Sequence, residues 1–322
     1  MSAKSPSQPL LAWAAQLEAA QLEHANADDT PKPRVEVITK NGVRYYRWTF
    51  ADRSFDVVSV TEILNVMAKG LQGWSAWLQQ GVTIEAAQAV YARIMQQKSD
   101  PLSKDGFALA VKKEVGEVQA HEKALTTAGN MGTQVHNRID WTLKTDPLPH
   151  GLGRTDLGTA PPLGPEAERC FERWQAWRKT VLLYPIRVEE QVYSETHKYG
   201  GTLDVLAWVD LKTDNKGKVL SIIDWKTSKN IYESHRLQAQ AYSHAAKEME
   251  LGNADRALVI KIPKGTKNEA IEVVECEPRE KLLPIFLAAK TLFEFWSPYQ
   301  TKRKYRKQPK KKVPFTESLG DA

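Results

Sequence analysis

Apolar residues recur at helical spacing through the first half of the chain and in short strand-like runs through the second. The alternation therefore predicts a mainly helical N-terminal half followed by an α/β half. Residues 1–9 are polar and read as disordered, and residues 10–23 alternate apolar and polar positions as a short helix does. β-rich arms over 34–50 flank Lys40-Asn41-Gly42, where Asn-Gly is a hairpin cue. A strand over 57–60 leads into a helix capped by Ser59 or Thr61, with Ile63, Leu64 and Met67 as its apolar stripe. Residues 74–143 read as three or four helices, broken near Ser99-Asp100-Pro101. Residues 145–165 are rich in Gly and Pro and predict a surface loop, and a helix follows over 166–180.

The pattern then changes to β-favouring runs at 184–193, 201–210 and 218–226, with Asp214-Asn215-Lys216-Gly217 as the turn between the last two. A helix over 233–251, strands over 256–262 and 270–274, and a closing helix over 278–295 complete the chain. No internal repeat is visible. The division expected is a start at 1–30, a helical half with the hairpin at 31–180, an α/β core at 181–298 and a tail at 299–322.

With 322 residues, 42% of them hydrophobic, the chain can bury a sizeable core. It has no apolar run of the ~18 residues that a membrane span needs, and its start lacks a secretory pattern. Glu18, Glu23, Asp28 and Asp29 argue against a mitochondrial leader, so a cytoplasmic location, in a bacterial or phage-infected cell, is expected. Cys170 and Cys276 form no CxxC pair and read as ordinary buried thiols. Two cysteines exclude a four-cysteine iron–sulfur cluster, and without GxxxxGK[ST] no nucleotide site is expected. The net charge is +6, but Lys302, Arg303, Lys304, Arg306, Lys307, Lys310, Lys311 and Lys312 supply eight positive charges, so the body is slightly acidic. That tail, with Tyr305 inside it, reads either as a solvated segment or as a phosphate-binding arm. Trp74, Trp77 and Trp141 read as packing residues.

The informative stretch is Gly-Gly-Thr-Leu-Asp-Val-Leu-Ala-Trp-Val-Asp followed, after a turn, by Val-Leu-Ser-Ile-Ile-Asp-Trp-Lys-Thr. Asp204 and Asp224 interrupt apolar strands, and buried carboxylates need a cation or donors to compensate them. In a hairpin they would converge, and oxygen ligands there favour Mg²⁺ or Mn²⁺. Lys226 lies two residues after Asp224, on the same strand face, where it would reach the attacking water and the charge that develops on a phosphoryl group.

These residues resemble the PD-(D/E)XK nucleases, in the RecB-like branch that includes phage exonucleases and the mitochondrial genome maintenance exonuclease. The resemblance covers much of 59–242. The branch's GTxVH matches Gly132-Thr133-Gln134-Val135-His136, its GxxD matches Gly201-Thr202-Leu203-Asp204, and its (D/E)xK matches Asp224-Trp225-Lys226. An acid on the strand before GxxD best matches Glu189, with Glu190 the second choice. QxxxY matches Gln238 and Tyr242, at i and i+4 on one helix face, and Ser59-Val60-Thr61-Glu62-Ile63-Leu64 looks like the opening segment of phage members.

The resemblance implies a restriction-endonuclease-like α/β core: a mixed central sheet flanked by helices. It implies Glu189, Asp204, Asp224 and Lys226 as catalytic residues. One or two Mg²⁺ or Mn²⁺ ions would be held by His136, Asp204, Asp224, Glu189 and the Trp225 carbonyl. Gln238, Tyr242 and Thr227 would position DNA or the lysine. Taken alone, a histidine on a helix or Asp-Trp-Lys at a strand end is ordinary; the succession of these features on helix, strand, strand, strand and helix carries the reading. The expected activity is an exonuclease on single-stranded DNA or DNA ends, with a recombination or single-strand-binding protein as partner. A structure-selective endonuclease and a non-catalytic DNA-binding or recombination accessory module are the alternatives.

Overall fold

A computed structural model describes residues 33–67, 83–93, 96, 104–115, 120–265 and 269–305. The helix expected over 10–23, Trp74 and Trp77, the break near Pro101 and the basic residues from Arg306 onward lie outside them. β1 (Arg34–Lys40) and β2 (Val43–Thr49) form the expected hairpin, with Asn41 and Gly42 at φ 53° and 79°. Those left-handed values are the ones a two-residue hairpin turn requires and Asn-Gly tolerates. β3 (Ser54–Ser59) adds antiparallel to β2 and runs into α1 (Val60–Leu64). Ser59 is the N-cap by position, but its hydroxyl makes no cap bond; it meets the Arg44 guanidinium at 3.1 Å and the Thr61 hydroxyl at 2.9 Å instead.

Helical residues 83–93 and α2 (Lys104–Val115) pack together through Ala86, Val90 and Val111. α3 (Ala120–Thr145) buries Met131, Val135, Ile139 and Leu143, a stripe at intervals of four that holds one helix face against the sheet. The loop that follows contains neither helix nor strand, and α4 (Pro165–Arg178) begins with a proline, whose missing N–H costs nothing in a first turn.

β4 (Leu182–Ser194), β5 (Tyr199–Asp210) and β6 (Val219–Lys226) form the expected antiparallel meander. α5 (Glu233–Glu248) then crosses to β7 (Arg256–Lys261), parallel to β6, and β8 (Glu272–Glu275) closes that side. α6 (Arg279–Tyr305) continues ten residues beyond the expected end at Phe295 and so takes in Lys302, Arg303 and Lys304 of the basic run.

All eight strands belong to one mixed sheet, and the sheet forks. β4 pairs with β5 along its whole length, from Tyr199 to Asp210, and so fills one edge of it. On the other edge, β3 pairs in parallel with Tyr199 and Gly200, whereas β6 pairs with Val205 to Val209. Residues 201–204 of β5 lie in the crotch between these two wings, with no ladder partner on that edge.

One apolar cluster joins the sheet to α1, α5 and α6, and a second joins it to α3 and α4, giving helices on both faces. Val192 and Leu203 fall in the first cluster and Val188 and Val205 in the second, although each pair is an even number of residues apart on its strand. The two-residue alternation therefore resets on both strands between these positions, at Glu189 and Asp204. Glu189 has φ 54°, left-handed backbone that a glutamate rarely adopts, and that local turn reverses the faces.

Candidate active site

The fork brings the acids together. Val188 pairs with Val205 and Glu190 with Leu203, so Glu189 stands opposite Asp204. On the other side Val205 pairs with Ile223, and one step further in the same register sets Asp204 opposite Asp224. Glu189, Asp204 and Asp224 thus occupy one rung across β4, β5 and β6. At the point where the β5–β6 ladder ends, the Trp225 backbone N–H donates to Asp204 Oδ2 at 2.8 Å.

α3 supplies the wall over this rung. Gly132, His136 and Asp140 follow one another at intervals of four, on a line beside the buried stripe. A Cβ on Gly132 would come within 2.9 Å of Thr227 Oγ1, so the glycine lets the helix approach β6 closely. His136 Nδ1 then reaches to 3.6 Å from Asp204 Oδ2, with the Trp225 backbone beside it. Asp140 comes next to Glu189, and Asp204 also acts on it.

Burial dominates the electrostatics. Asp224 is 1% exposed, and its Oδ2 lies 2.6 Å from Lys226 Nζ. That contact pairs the carboxylate with the Lys226 ammonium, and no other donor reaches either Asp224 oxygen. Removal from water pushes Asp224 up to about 6 despite the lysine, and the same cause pushes Asp204 to about 6. Burial and the charges of Glu189 and Asp204 raise Asp140 well above the carboxylate range. His136 moves the other way, down to about 4, because burial and the Lys226 charge disfavour imidazolium. At neutral pH its ring is therefore uncharged, the form that ligates a metal.

The remaining expected residues surround this centre. Glu190 lies 3.9 Å from Arg187, whereas the charge of Glu189 acts on His136, Asp140 and Asp204. Tyr242 is 3% exposed and packs against Gly201, where a Cβ would sit 2.6 Å from its ring; Gln238 Nε2 donates to its hydroxyl at 3.3 Å. Thr227 is 8% exposed. Both are therefore buried, while Gln238 is half-buried. His235, at the start of α5, is lowered to about 4 by burial and by the Lys226 charge. Cys170 and Cys276 are buried free thiols, as expected.

Sequence reasoning missed Asp140. The signal was an acid four residues after the histidine of GTxVH, which puts both on one helical line; nothing in the chain before folding says that this line faces three other acids.

The donor set suits a hard divalent cation. Asp224 offers two buried oxygens with no donor besides Lys226, Asp204 and Glu189 add carboxylates, and His136 adds a neutral nitrogen. Among the described residues no three His, Cys, Asp or Glu side chains stand together as a group that could hold a metal ion. Among the same residues no helix is long and apolar enough to cross a membrane.

Comparison with curated proteins gives no significant match. A profile of the PD-(D/E)XK nuclease superfamily, whose members are generally divalent-metal-dependent nucleases acting on nucleic acid, matches residues 106–310, from α2 to just beyond α6. That span includes the whole rung of acids, the lysine two residues past Asp224 and the helix that carries His136, and the chain belongs to the PD-(D/E)XK nuclease superfamily.

Proposed function

We propose that the protein is a deoxyribonuclease of the RecB-like kind, an exonuclease that hydrolyses single-stranded DNA or DNA ends in recombination, repair or DNA degradation. The observation that carries the reading is Asp224, a 1% exposed carboxylate whose one donor is the Lys226 ammonium, set opposite Asp204. Such a group is costly to fold unless its charge is used. The order of the motifs from His136 to Tyr242 supports the RecB-like assignment.

Asp204, Asp224 and His136 would hold Mg²⁺ or Mn²⁺, with Glu189 and the Trp225 carbonyl as further oxygen donors. The ion would polarise the phosphoryl oxygen and make water a better nucleophile at neutral pH. Lys226, 17% exposed at its side chain, presents a cation to the charge that develops on the phosphate, and Asp224 fixes its Nζ in place. Neutral His136 has one unprotonated ring nitrogen to offer a metal, and its Nδ1 lies 3.6 Å from Asp204. Tyr242 and Thr227 fix how closely α5 and α3 approach the rung, and Gln238 is the member of that group with surface left for DNA. The basic run from Lys302 to Lys312 would attract the phosphate backbone.

The test is cleavage of an end-labelled linear single strand and of its circular form, with Mn²⁺, Mg²⁺ or EDTA, by the wild type and Lys226→Ala. The expected result is metal-dependent loss of the linear strand alone, abolished in the variant. Cleavage of the circle would establish an endonuclease, and DNA binding without any cleavage would make the protein an accessory module.

A further inference from the structure

Tyr232 belongs to none of the motifs that define the site, yet it is the N-cap of α5, the helix that carries Gln238 and Tyr242, and it is 50% exposed. Ile231, one residue before, packs on the apolar cluster of α1, α5 and α6 and anchors the start of the helix, so Tyr232 is not needed for that packing. Its place is nevertheless fixed. Its backbone N–H donates to His235 Nδ1 at 3.3 Å, the His235 N–H donates back to its carbonyl at 2.9 Å, and the two rings meet edge-on, with centroids 5.3 Å apart at 75°. An aromatic ring already held in place, with half its surface open, loses little freedom when another ring stacks on it.

The same helix line leads from that ring to the catalytic rung. His235, Gln238 and Tyr242 follow at intervals of three and four, Gln238 Nε2 donates to the Tyr242 hydroxyl, and Tyr242 packs beside Gly201, three residues before Asp204. Exposure rises outward along the line, from 3% at Tyr242 through half-buried Gln238 and His235 to Tyr232. Residues 232 and 242 lie about 15 Å apart along the helix axis, the length of a few nucleotides at ~3.4 Å per stacked base. Lys229 and Asn230, in the turn before Tyr232, are exposed and add a cation close to the ring in sequence. The other large aromatics exposed among the described residues, Tyr91, Phe295 and Trp296, stand on helices that carry no residue of the site.

We propose that Tyr232 is the stacking platform for an unpaired base of the strand whose phosphate lies at the rung, and so sets a preference for single-stranded DNA. A base inside a duplex has both faces covered by its neighbours, whereas an unpaired base can lay one face on the phenol ring, whatever its identity. The proposal rests on the nuclease reading above.

The experiment uses the full-length chain with Lys226→Ala, so that a bound strand stays uncut, and a linear single strand carrying the fluorescent base analogue 2-aminopurine at successive positions from either end. Binding with Mn²⁺ should quench the analogue several-fold at one or two adjacent positions. Adding Tyr232→Ala should abolish that quenching and weaken binding by about 10-fold, whereas Tyr232→Phe and Tyr232→Trp should keep both. An abasic site at the quenched position should weaken binding by the same factor when Tyr232 is present and make no difference when it is alanine. In the cleaving protein, Tyr232→Ala should raise KM for the single strand by about 10-fold, with a smaller effect on kcat. Wild-type quenching and affinity in Tyr232→Ala overturn the proposal, as does a loss that Tyr232→Phe fails to restore or that the abasic strand adds to. Should circular dichroism show Tyr232→Ala unfolded, the abasic strand on the chain with Tyr232 decides alone, and undiminished binding there overturns the proposal. A protein that cleaves single strands with none of these effects refutes the stacking alone, and one that neither binds nor cleaves any strand refutes the nuclease reading with it.

Discussion

Replacing Asp224 by asparagine keeps the shape of the side chain and removes its charge. Burial raises the carboxyl from 3.8 to about 6 in the folded chain, and this is the balance after the attraction of Lys226. At ~1.4 kcal/mol for each tenfold, the ionised carboxylate costs the metal-free fold about 3 kcal/mol relative to a neutral group of the same size. The new amide brings an NH2 group that finds no acceptor, because the neighbour at Oδ2 is the Lys226 ammonium, a donor, and that offsets roughly 1–2 kcal/mol. Asp224→Asn should therefore make the metal-free protein more stable, by about 1–2 kcal/mol at pH 7, while removing metal-dependent activity. The native state holds this proton more tightly than the unfolded chain does, so wild-type stability falls as pH rises from about 4 to 6. The advantage of the variant accordingly appears across that window, is complete above it and vanishes below it. Urea unfolding in EDTA at several pH values measures this. Added Mn²⁺ should reverse the order, because ligand binding stabilises only the protein that binds it. A variant less stable than wild type in EDTA at pH 7, or a difference that does not change with pH, would refute the argument that the acid is held at a cost.

Three other outcomes are expected. Mn²⁺ affinity should fall by roughly 100-fold between pH 7.5 and pH 5, as protons compete for Asp204 and Asp224, both raised to about 6; isothermal titration at the two pH values checks it. Gly201→Ala forces a methyl to within 2.6 Å of the Tyr242 ring, and thermal melting should show a loss of about 1–3 kcal/mol with little change in Mn²⁺ binding. Deleting residues 306–322 removes Arg306, Lys307, Lys310, Lys311 and Lys312. The slope of log K against log salt for a single strand should then fall by up to ~3.5 while metal-dependent chemistry persists, and an unchanged slope would show that the tail does not contact phosphate.

Much was legible before folding because it depends on neighbours in sequence. Asn41-Gly42 specifies its turn through backbone sterics alone, and the meander from β4 to β6 follows from alternation and from the Gly217 turn. The acids at 204 and 224 were visible as polar residues in apolar strands, Lys226 by its spacing from Asp224, and His136 through the resemblance to GTxVH. By contrast, the end of α6 was misplaced: the helix expected to close at Phe295 continues to Tyr305, through Pro298.

The sequence by itself determined the elements, the candidate donors and their order, since these rest on periodicity and on residue chemistry. Only the tertiary structure decided that β3 and β6 share one edge of β5, that Glu189 rather than Glu190 acts on the other acids, and that Asp140 joins them. The physical reason is that each of these depends on pairing between segments far apart in the chain, on a left-handed turn that a glutamate adopts only under the constraint of its surroundings, and on a helix brought close by the missing side chain of Gly132.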